Sequence, residues 1–226
     1  MTQPLLIFDM DGVLVDVTES YREAIARTVE HFTGCRPAAA AIQHYKNQGG
    51  WNDDWKLSHH LVTEAGVAAP FADVKAHFQS VFHGDGTDGL ILREQWVARP
   101  GMLERLTGSF RFALFTGRPK WEAELTLRRF APEIEFSPII GMDEVQRPKP
   151  DPEGLQQILA ASPGATAYYV GDTVDDARCA RAAGARFIGI AAPANPLYVD
   201  LVFLFQEQGA YAVVDDINYL EEVIDR

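Results

Sequence analysis

Two aspartates separated by one residue follow the first apolar run of the chain. The run Leu5–Phe8 is short and continuous, as is typical of a strand buried on both faces, and it leads directly into Asp9, Met10, Asp11 and Gly12. Chain that leaves the carboxyl end of such a strand lies where open α/β sheets bind their ligands. Two carboxylates there can hold a hard cation, and one can attack an electrophile while the other handles a proton. An ordinary Asp-Gly turn is the simpler alternative.

Matching polar segments follow later apolar runs. The run 112–115 ends in Thr116, Gly117 and Arg118, where a hydroxyl and accessible backbone N–H groups form a nest suited to phosphate oxygens. Lys149 lies in the proline-rich segment 147–152, and proline reduces the entropy lost in holding its ammonium group in place.

A last set of carboxylates follows the run 167–170. Asp172, Asp175 and Asp176 lie just after this strand candidate and at the start of a predicted helix. Each of the four segments alone is a common turn or helix start. Four of them in this order, each at a predicted strand end, are not plausibly a coincidence.

On these four motifs the chain resembles the haloacid dehalogenase superfamily, in the branch with a helical cap inserted after the first motif. The resemblance extends over essentially the whole chain. It implies that Asp9 is the nucleophile that forms an aspartyl-phosphate and that Asp11 is the general acid/base. Thr116 would bind the transferring phosphoryl group, and Lys149 would offset charge between that group and Asp9.

The resemblance also implies a magnesium site. Mg²⁺ would be held by the side chains of Asp9 and Asp172 and by the backbone carbonyl of Asp11. Asp176 fits a further acidic position of the family, behind the ligands, and Asp175 is a weaker candidate for the same role. Gly117 and Arg118 join Thr116 as candidate substrate-binding residues.

The carboxylate of Asp11 indicates the type of reaction. Members of the superfamily that resemble the carbon–halogen and phosphonate enzymes lack a carboxylate at this position, so its presence favours phosphate esters. We therefore expect a Mg²⁺-dependent phosphatase, a phosphoric monoester hydrolase, acting on a small phosphorylated metabolite. A phosphomutase uses the same four motifs and is an alternative. A non-catalytic regulatory or binding protein on this fold is a third, against which the intact catalytic set counts.

Composition limits the partners and the compartment. The 226 residues have a formal net charge of -12, which argues against nucleic acid or an anionic membrane surface as the main partner. An anionic substrate then needs local positive charge, and Lys120 and Arg147 are further candidates for it. Cys35 and Cys179 lack metal-ligand spacing, and we interpret both as reduced packing residues. The four-residue apolar run near the N-terminus is too short for a signal peptide, so we expect a cytoplasmic protein.

The elements that position these residues form an α/β pattern with a helical interruption. Helical spacing is predicted at about 17–32, 37–46, 53–65 and 70–82, without a convincing strand between them. From residue 110 onward, strand and helix signals alternate, with strands near 186–190 and 211–214 and a last helix at about 217–225. We expect a doubly wound, Rossmann-like parallel core over residues 1–16 and 91–226, and an all-helical cap over residues 17–90.

The cap loop 45–55 is the candidate for substrate selection. Its adjacent glycines permit a tight bend, and the resemblance makes Lys46 and Asn52 candidate substrate contacts. The alternative is a helix–helix turn with Asn52 or Asp53 as N-cap and two core tryptophans. The glycine- and aspartate-rich loop 84–89 is expected to be a connector, and the six histidines, all in the cap, to be surface or packing residues. The apolar run 201–205 is either an interface or a buried helix face, so the oligomeric state is left open.

Overall fold

The computed structural model describes residues 3–224, which divide into two compact units. One unit comprises Met1–Val15 and Trp96–Arg226, and the other comprises Asp16–Gln95. The chain therefore passes between the units after residues 15 and 95, where the sequence places domain boundaries after residues 16 and 90. Within the described residues, no helix has the length and apolarity needed to cross a membrane.

The first unit is built on a six-stranded parallel sheet. Its strands are β1 (Leu5–Phe8), β4 (Arg111–Phe115), β5 (Phe136–Ile140), β6 (Ala167–Gly171), β7 (Arg186–Ile190) and β8 (Ala212–Val214), in the spatial order β5-β4-β1-β6-β7-β8. Two short strands, β2 (Val15–Asp16) and β3 (Gln95–Trp96), pair separately. The predicted parallel α/β fold class is confirmed.

The second unit is helical. It contains α1 (Tyr21–Thr33), α2 (Ala39–Gln48), α3 (Asp54–Glu64), α4 (Phe71–His83) and a short 3-10 helix at Leu90–Arg93. Helix α1 packs against α3 and α4, and the Tyr21 ring lies 4.1 Å from that of Phe82. The expected helix at 17–32 begins later, at Tyr21, because residues 17–20 form a turn in which the Ser20 N–H donates to the Val17 carbonyl.

Helices alternate with the strands of the sheet along the chain of the first unit. They are α5 (Met102–Thr107), α6 (Lys120–Phe130), α7 (Glu153–Ala160), α8 (Val174–Ala183), α9 (Tyr198–Glu207) and α10 (Leu220–Val223). The predicted last helix is split into a 3-10 turn at Ile217–Tyr219 and α10, and its expected residue 225 lies outside the described residues. Strand β1 is buried throughout, as its apolar run predicts, and its Phe8 ring contacts that of Phe112 at 5.3 Å.

The interpretation of Cys35 as a packing residue needs correction, and the apolar run 201–205 has both buried and exposed members. Cys179 is buried, as a packing residue should be, but Cys35 is exposed because it follows Gly34, whose left-handed conformation ends α1. In the run 201–205, Leu201 and Phe205 are buried one helical turn apart, whereas Phe203 is 62% exposed on another face of α9.

Candidate active site

The candidate site lies at the carboxyl ends of the central strands. Strand β1 pairs with β4 on one side and β6 on the other, so the order of the sheet reverses at β1, and ligands bind open α/β sheets at such a switch point. Asp9 follows β1, Thr116 follows β4 and Asp172 follows β6. The sheet topology therefore brings together three of the four motifs that are far apart in sequence.

The turn after β1 is closed by backbone hydrogen bonds. The Met10 carbonyl accepts from the N–H groups of Leu14 and Val15, at 2.9 and 3.0 Å, and the Gly12 N–H donates to the Val15 carbonyl. Gly12 has a φ of 73°, and a Cβ atom there would lie 2.1 Å from Oδ2 of Asp172. The Asp-Gly turn thus exists, and the glycine allows the Asp172 carboxylate to approach the backbone next to Asp11.

Lys149 bridges two buried carboxylates. Its Nζ lies 2.9 Å from Oδ1 of Asp9 and 2.8 Å from Oδ1 of Asp176, and its side chain is 1% exposed. The ammonium group also lies 4.9 Å from the centre of the Phe115 ring, within cation–π range. Burial opposes the charged form of Lys149, but Asp176 and Asp9 outweigh it and hold its pKa above the usual value. Lys149 therefore stays charged beside Asp9.

Asp176 is fully engaged by the protein. Its Oδ1 accepts from Tyr169 Oη at 2.7 Å in addition to Lys149, and its Oδ2 accepts from the backbone N–H and the hydroxyl of Thr173 at 3.1 and 2.6 Å. Burial would raise the pKa of Asp176, but Lys149 and the bonds from Thr173 and Tyr169 bring it below the usual value. With these donors on both oxygens, Asp176 orients Lys149 from behind.

Sequence reasoning missed Thr173 and Tyr169. Thr173 is the N-cap of α8 and forms a capping box with Asp176, so the Thr-x-x-Asp spacing was a usable signal. Tyr169 is one of several buried residues within β6, and nothing in its strand position indicates that its hydroxyl contacts a carboxylate.

Burial disfavours the ionised form of Asp9. Its side chain is 5% exposed, and burial raises its pKa to about 7, an effect to which Asp176 and Asp11 add and which Lys149 opposes. One ammonium group therefore serves two buried carboxylates, and a further cation would favour the ionised form of Asp9.

The residues present fit a magnesium ion. Carboxylate oxygens of Asp9, Asp172 and Asp176 lie within 4.8 Å of one another. Asp176 already accepts from protein donors on both oxygens, and Asp9 and Asp172 are the predicted side-chain ligands of a cation at this cluster. Two carboxylates, with room for waters and a phosphate oxygen, are the kind of donor set that Mg²⁺ uses in phosphoryl-transfer sites.

The loop after β4 positions a hydroxyl and an arginine. Thr116 is buried, and its Oγ1 accepts from the backbone N–H of Arg118 at 3.2 Å, which leaves its own O–H to donate. The Arg118 guanidinium donates from Nε and Nη2 to Oδ1 of Asp11, at 2.9 and 2.5 Å, and from Nη1 to Thr126 at 3.0 Å. The Met142 N–H fixes the loop by donating to the Arg118 carbonyl.

The comparison with known proteins identifies the family. The family model described as haloacid dehalogenase-like hydrolase matches residues 6–190, a span that contains all four motifs. The chain belongs to this family. The expected hydrolase class is thereby confirmed.

Individual relatives of this haloacid dehalogenase-like hydrolase carry different names. A protein of Phytophthora nicotianae named imidazoleglycerol-phosphate dehydratase is 36% identical over 197 residues, which are 83% of this chain and 43% of that protein. The chain thus spans less than half of that relative. A phosphoglycolate phosphatase of Cereibacter sphaeroides (strain ATCC 17029 / ATH 2.4.9) is 28% identical over 186 residues, 81% of this chain and 83% of the relative.

A solved structure supports the fold. A haloacid dehalogenase-like protein of unknown function from Agrobacterium tumefaciens superimposes with a TM-score of 0.73 over 98% of this chain and 97% of its own. The sequence identity is 21%, so the likeness concerns the fold alone.

The candidate residues of the hydrolase's helical unit lie apart from these motifs in sequence. Lys46 is buried in α2, with Nζ 2.5 Å from Oδ1 of Asp54, and Asn52 is partly buried. Asp53 caps α3 by accepting from two backbone N–H groups, as the helix–turn alternative expects, although Trp51 and Trp55 are only partly buried. Substrate contact by Lys46 and Asn52 stays a prediction.

The remaining candidates have protein partners. Asp175 is buried at the start of α8 and pairs with Arg178 at 3.7 Å. Lys120 pairs with Glu144 at 2.9 Å, and Arg147 pairs with Asp151 at 3.3 Å. Across residues 3–224, none of the six histidines belongs to a metal-ligand cluster; His31 and His77, for example, stack at 3.9 Å.

Proposed function

We propose that this hydrolase is a Mg²⁺-dependent phosphatase that hydrolyses a small phosphorylated metabolite through an aspartyl-phosphate on Asp9. The observation that supports this most directly is the contact of Lys149 with Asp9 next to Asp172. A buried carboxylate with an ammonium group beside it and a cation site in front of it can approach a phosphate dianion without prohibitive repulsion. The phosphatase relative in Cereibacter supports the same class of substrate.

The first half-reaction joins Asp9 to phosphorus. A carboxylate oxygen of Asp9 attacks, the bond from phosphorus to the ester oxygen breaks, and Asp11 gives its proton to that oxygen. The Thr116 hydroxyl and the Gly117 backbone N–H donate to the phosphoryl oxygens, while Lys149 offsets their charge. Mg²⁺, held by Asp9, Asp172 and the Asp11 carbonyl, supplies further charge neutralisation when it is bound.

The second half-reaction releases phosphate. Asp11, now ionised, accepts a proton from a water molecule that attacks phosphorus, and the bond to Asp9 breaks. The carboxylate of Asp9 is restored, and Asp11 regains the proton that it gave up in the first half-reaction.

A direct test is the hydrolysis of p-nitrophenyl phosphate with Mg²⁺ and with excess chelator. We expect metal-dependent hydrolysis that Asp9→Asn lowers by roughly 10⁴-fold or more, because the nucleophile is lost. Asp200→Asn, an exposed aspartate of α9, is the matched control and should leave the rate unchanged. Metal-independent hydrolysis, or an Asp9→Asn variant as active as the control, would exclude the proposed mechanism.

A further inference from the structure

The environment of Arg118 differs from that of a residue that binds substrate. Its side chain is 1% exposed, although it follows Thr116 in a loop whose backbone is expected to meet phosphate. Two of its nitrogens, Nε and Nη2, converge on Oδ1 of Asp11, and Nη1 donates to Oγ1 of Thr126. The guanidinium group therefore donates to side chains of the protein from Nε, Nη1 and Nη2.

Thr126 fixes the far end of the arginine. It lies in α6, is 2% exposed and accepts at 3.0 Å from Nη1. Because the guanidinium group is planar and its N–H donors point in fixed directions, hydrogen bonds on two sides fix its orientation. The Arg118 side chain is thereby fixed between α6 and the turn after β1.

Asp11 is held by one oxygen only. Both bonds from Arg118 reach Oδ1, and among residues 3–224 no donor contacts Oδ2. The Asp11 side chain is 27% exposed, unlike the almost fully buried arginine. One carboxylate oxygen is thus fixed and charge-compensated by Arg118, and the other accepts no hydrogen bond from the described residues.

We propose that Arg118 is a positioning residue for proton transfer, which holds Asp11 by Oδ1 so that Oδ2 exchanges the proton with the leaving group and then with water. The inference rests on the proposed function, because it assigns Arg118 a role through the acid/base Asp11. When Oδ2 gives its proton to the ester oxygen, the negative charge that Asp11 gains is met by the guanidinium group. When Asp11 takes a proton from water, the same contact keeps Oδ2 in place.

The dependence of the rate on the leaving group tests this role. p-Nitrophenolate leaves as a stable anion and needs little help from an acid, whereas the alkoxide of β-glycerol phosphate needs a proton as it leaves. The value of kcat/KM reports the steps through the first phosphoryl transfer, so we compare it for the two esters in wild type, Asp11→Asn, Arg118→Ala, Arg118→Lys and Thr126→Val. Arg128→Ala is the control, since this arginine lies exposed in the same helix as Thr126.

We expect Asp11→Asn to lower kcat/KM for the alkyl ester about 10²-fold more than for the aryl ester. Arg118→Ala should reproduce this selective loss at roughly 10-fold or more, and Arg118→Lys should restore part of it. Thr126→Val keeps both charged groups and should show a smaller loss, about 3-fold, in the same direction. KM should change little in the two Arg118 variants and in Thr126→Val.

Two results would overturn the inference. One is an equal loss of kcat/KM for both esters in the Arg118 and Thr126 variants, while Asp11→Asn still lowers kcat/KM more for the alkyl ester than for the aryl ester. The other is a rise in KM at unchanged kcat, which would make Arg118 a substrate ligand. If Arg118→Ala does not fold, as judged by its thermal unfolding, Arg118→Lys and Thr126→Val decide. A wild type without metal-dependent hydrolysis of either ester would instead remove the proposed function, and this inference with it.

Discussion

Lys149 lies between two buried carboxylates, and for Asp9 the effect of burial on the pKa outweighs that of the ammonium group. Asp176 receives additional donors from Thr173 and Tyr169, which favour its ionised form. Asp9 receives less compensation, and burial raises its pKa to about 7. The proposed nucleophile is therefore a group whose charge costs stability in the folded protein, as is common where function and stability conflict.

Asp9→Asn should stabilise the metal-free protein at high pH. The usual pKa of this carboxyl is 3.8, so between about pH 4 and about pH 7 the folded state retains a proton that the unfolded state loses. The wild type therefore loses stability as pH rises through this range, and the isosteric amide does not. We expect a gain in the free energy of unfolding of roughly 3 to 4 kcal/mol at about pH 8 and a smaller gain at about pH 5.

Thermal unfolding of Asp9→Asn and Asp200→Asn in chelator, at both pH values, measures this difference. If Asp9→Asn is no more stable than Asp200→Asn at the higher pH, the charge of Asp9 is well compensated without metal.

The pairing of Arg118 with Asp11 could not be predicted from the sequence. The sequence indicates a positive charge near the phosphate site, and the motif order indicates Asp9, Thr116 and Lys149. The partner of Arg118 is 107 positions away in the chain, and only the parallel pairing of β1 with β4 brings the two side chains together.

At the scale of elements, the turn between β1 and β2 does most to shape the site. The apolar runs predict β1, β4, β6 and β7 closely, because strands buried on both faces are continuous apolar segments. Strand β5 is harder to predict from the sequence because it contains Pro138. Proline is tolerated there because β5 lies at the edge of the sheet. The close approach of Asp172 to Gly12 is a tertiary contact, and the sequence gives no indication of it.

Gly12→Ala should impair metal binding more than folding. The added Cβ would meet Oδ2 of Asp172 at 2.1 Å and must displace this carboxylate. We expect the Mg²⁺ concentration for half-maximal hydrolysis to rise about 10-fold or more, in line with the displacement of a metal ligand. Gly164→Ala is the matched control, since it imposes a similar positive φ of 77° on a side chain with open space around it.

Both glycine variants should lose stability, by roughly 1 kcal/mol from backbone strain alone. The metal dependence distinguishes them. An unchanged Mg²⁺ requirement in Gly12→Ala would mean that Asp172 does not hold the cation.

At the scale of the whole molecule, the proposed function requires an acidic protein to attract an anionic substrate. The net charge is -12, and Lys120, Arg147 and Arg118 all pair with carboxylates of the protein. In the proposed function, positive charge toward the phosphate would come from Lys149 and from a cation held by Asp9 and Asp172. We therefore expect the site to work only with metal. We also expect residues outside the four motifs to select the metabolite, and Lys46 and Asn52 are the predicted candidates.

Covalent phosphorylation of Asp9 is the central claim, and mass spectrometry tests it most directly. In Asp11→Asn, p-nitrophenyl phosphate should still transfer its phosphoryl group, whereas attack by water is slowed, so the intermediate accumulates. After an acid quench in the presence of Mg²⁺, we expect one hydroxylamine-sensitive phosphoryl group on Asp9, which the double variant Asp9→Asn, Asp11→Asn lacks. A phosphoryl group on another residue, or none in Asp11→Asn while the wild type hydrolyses the same ester, would contradict the account.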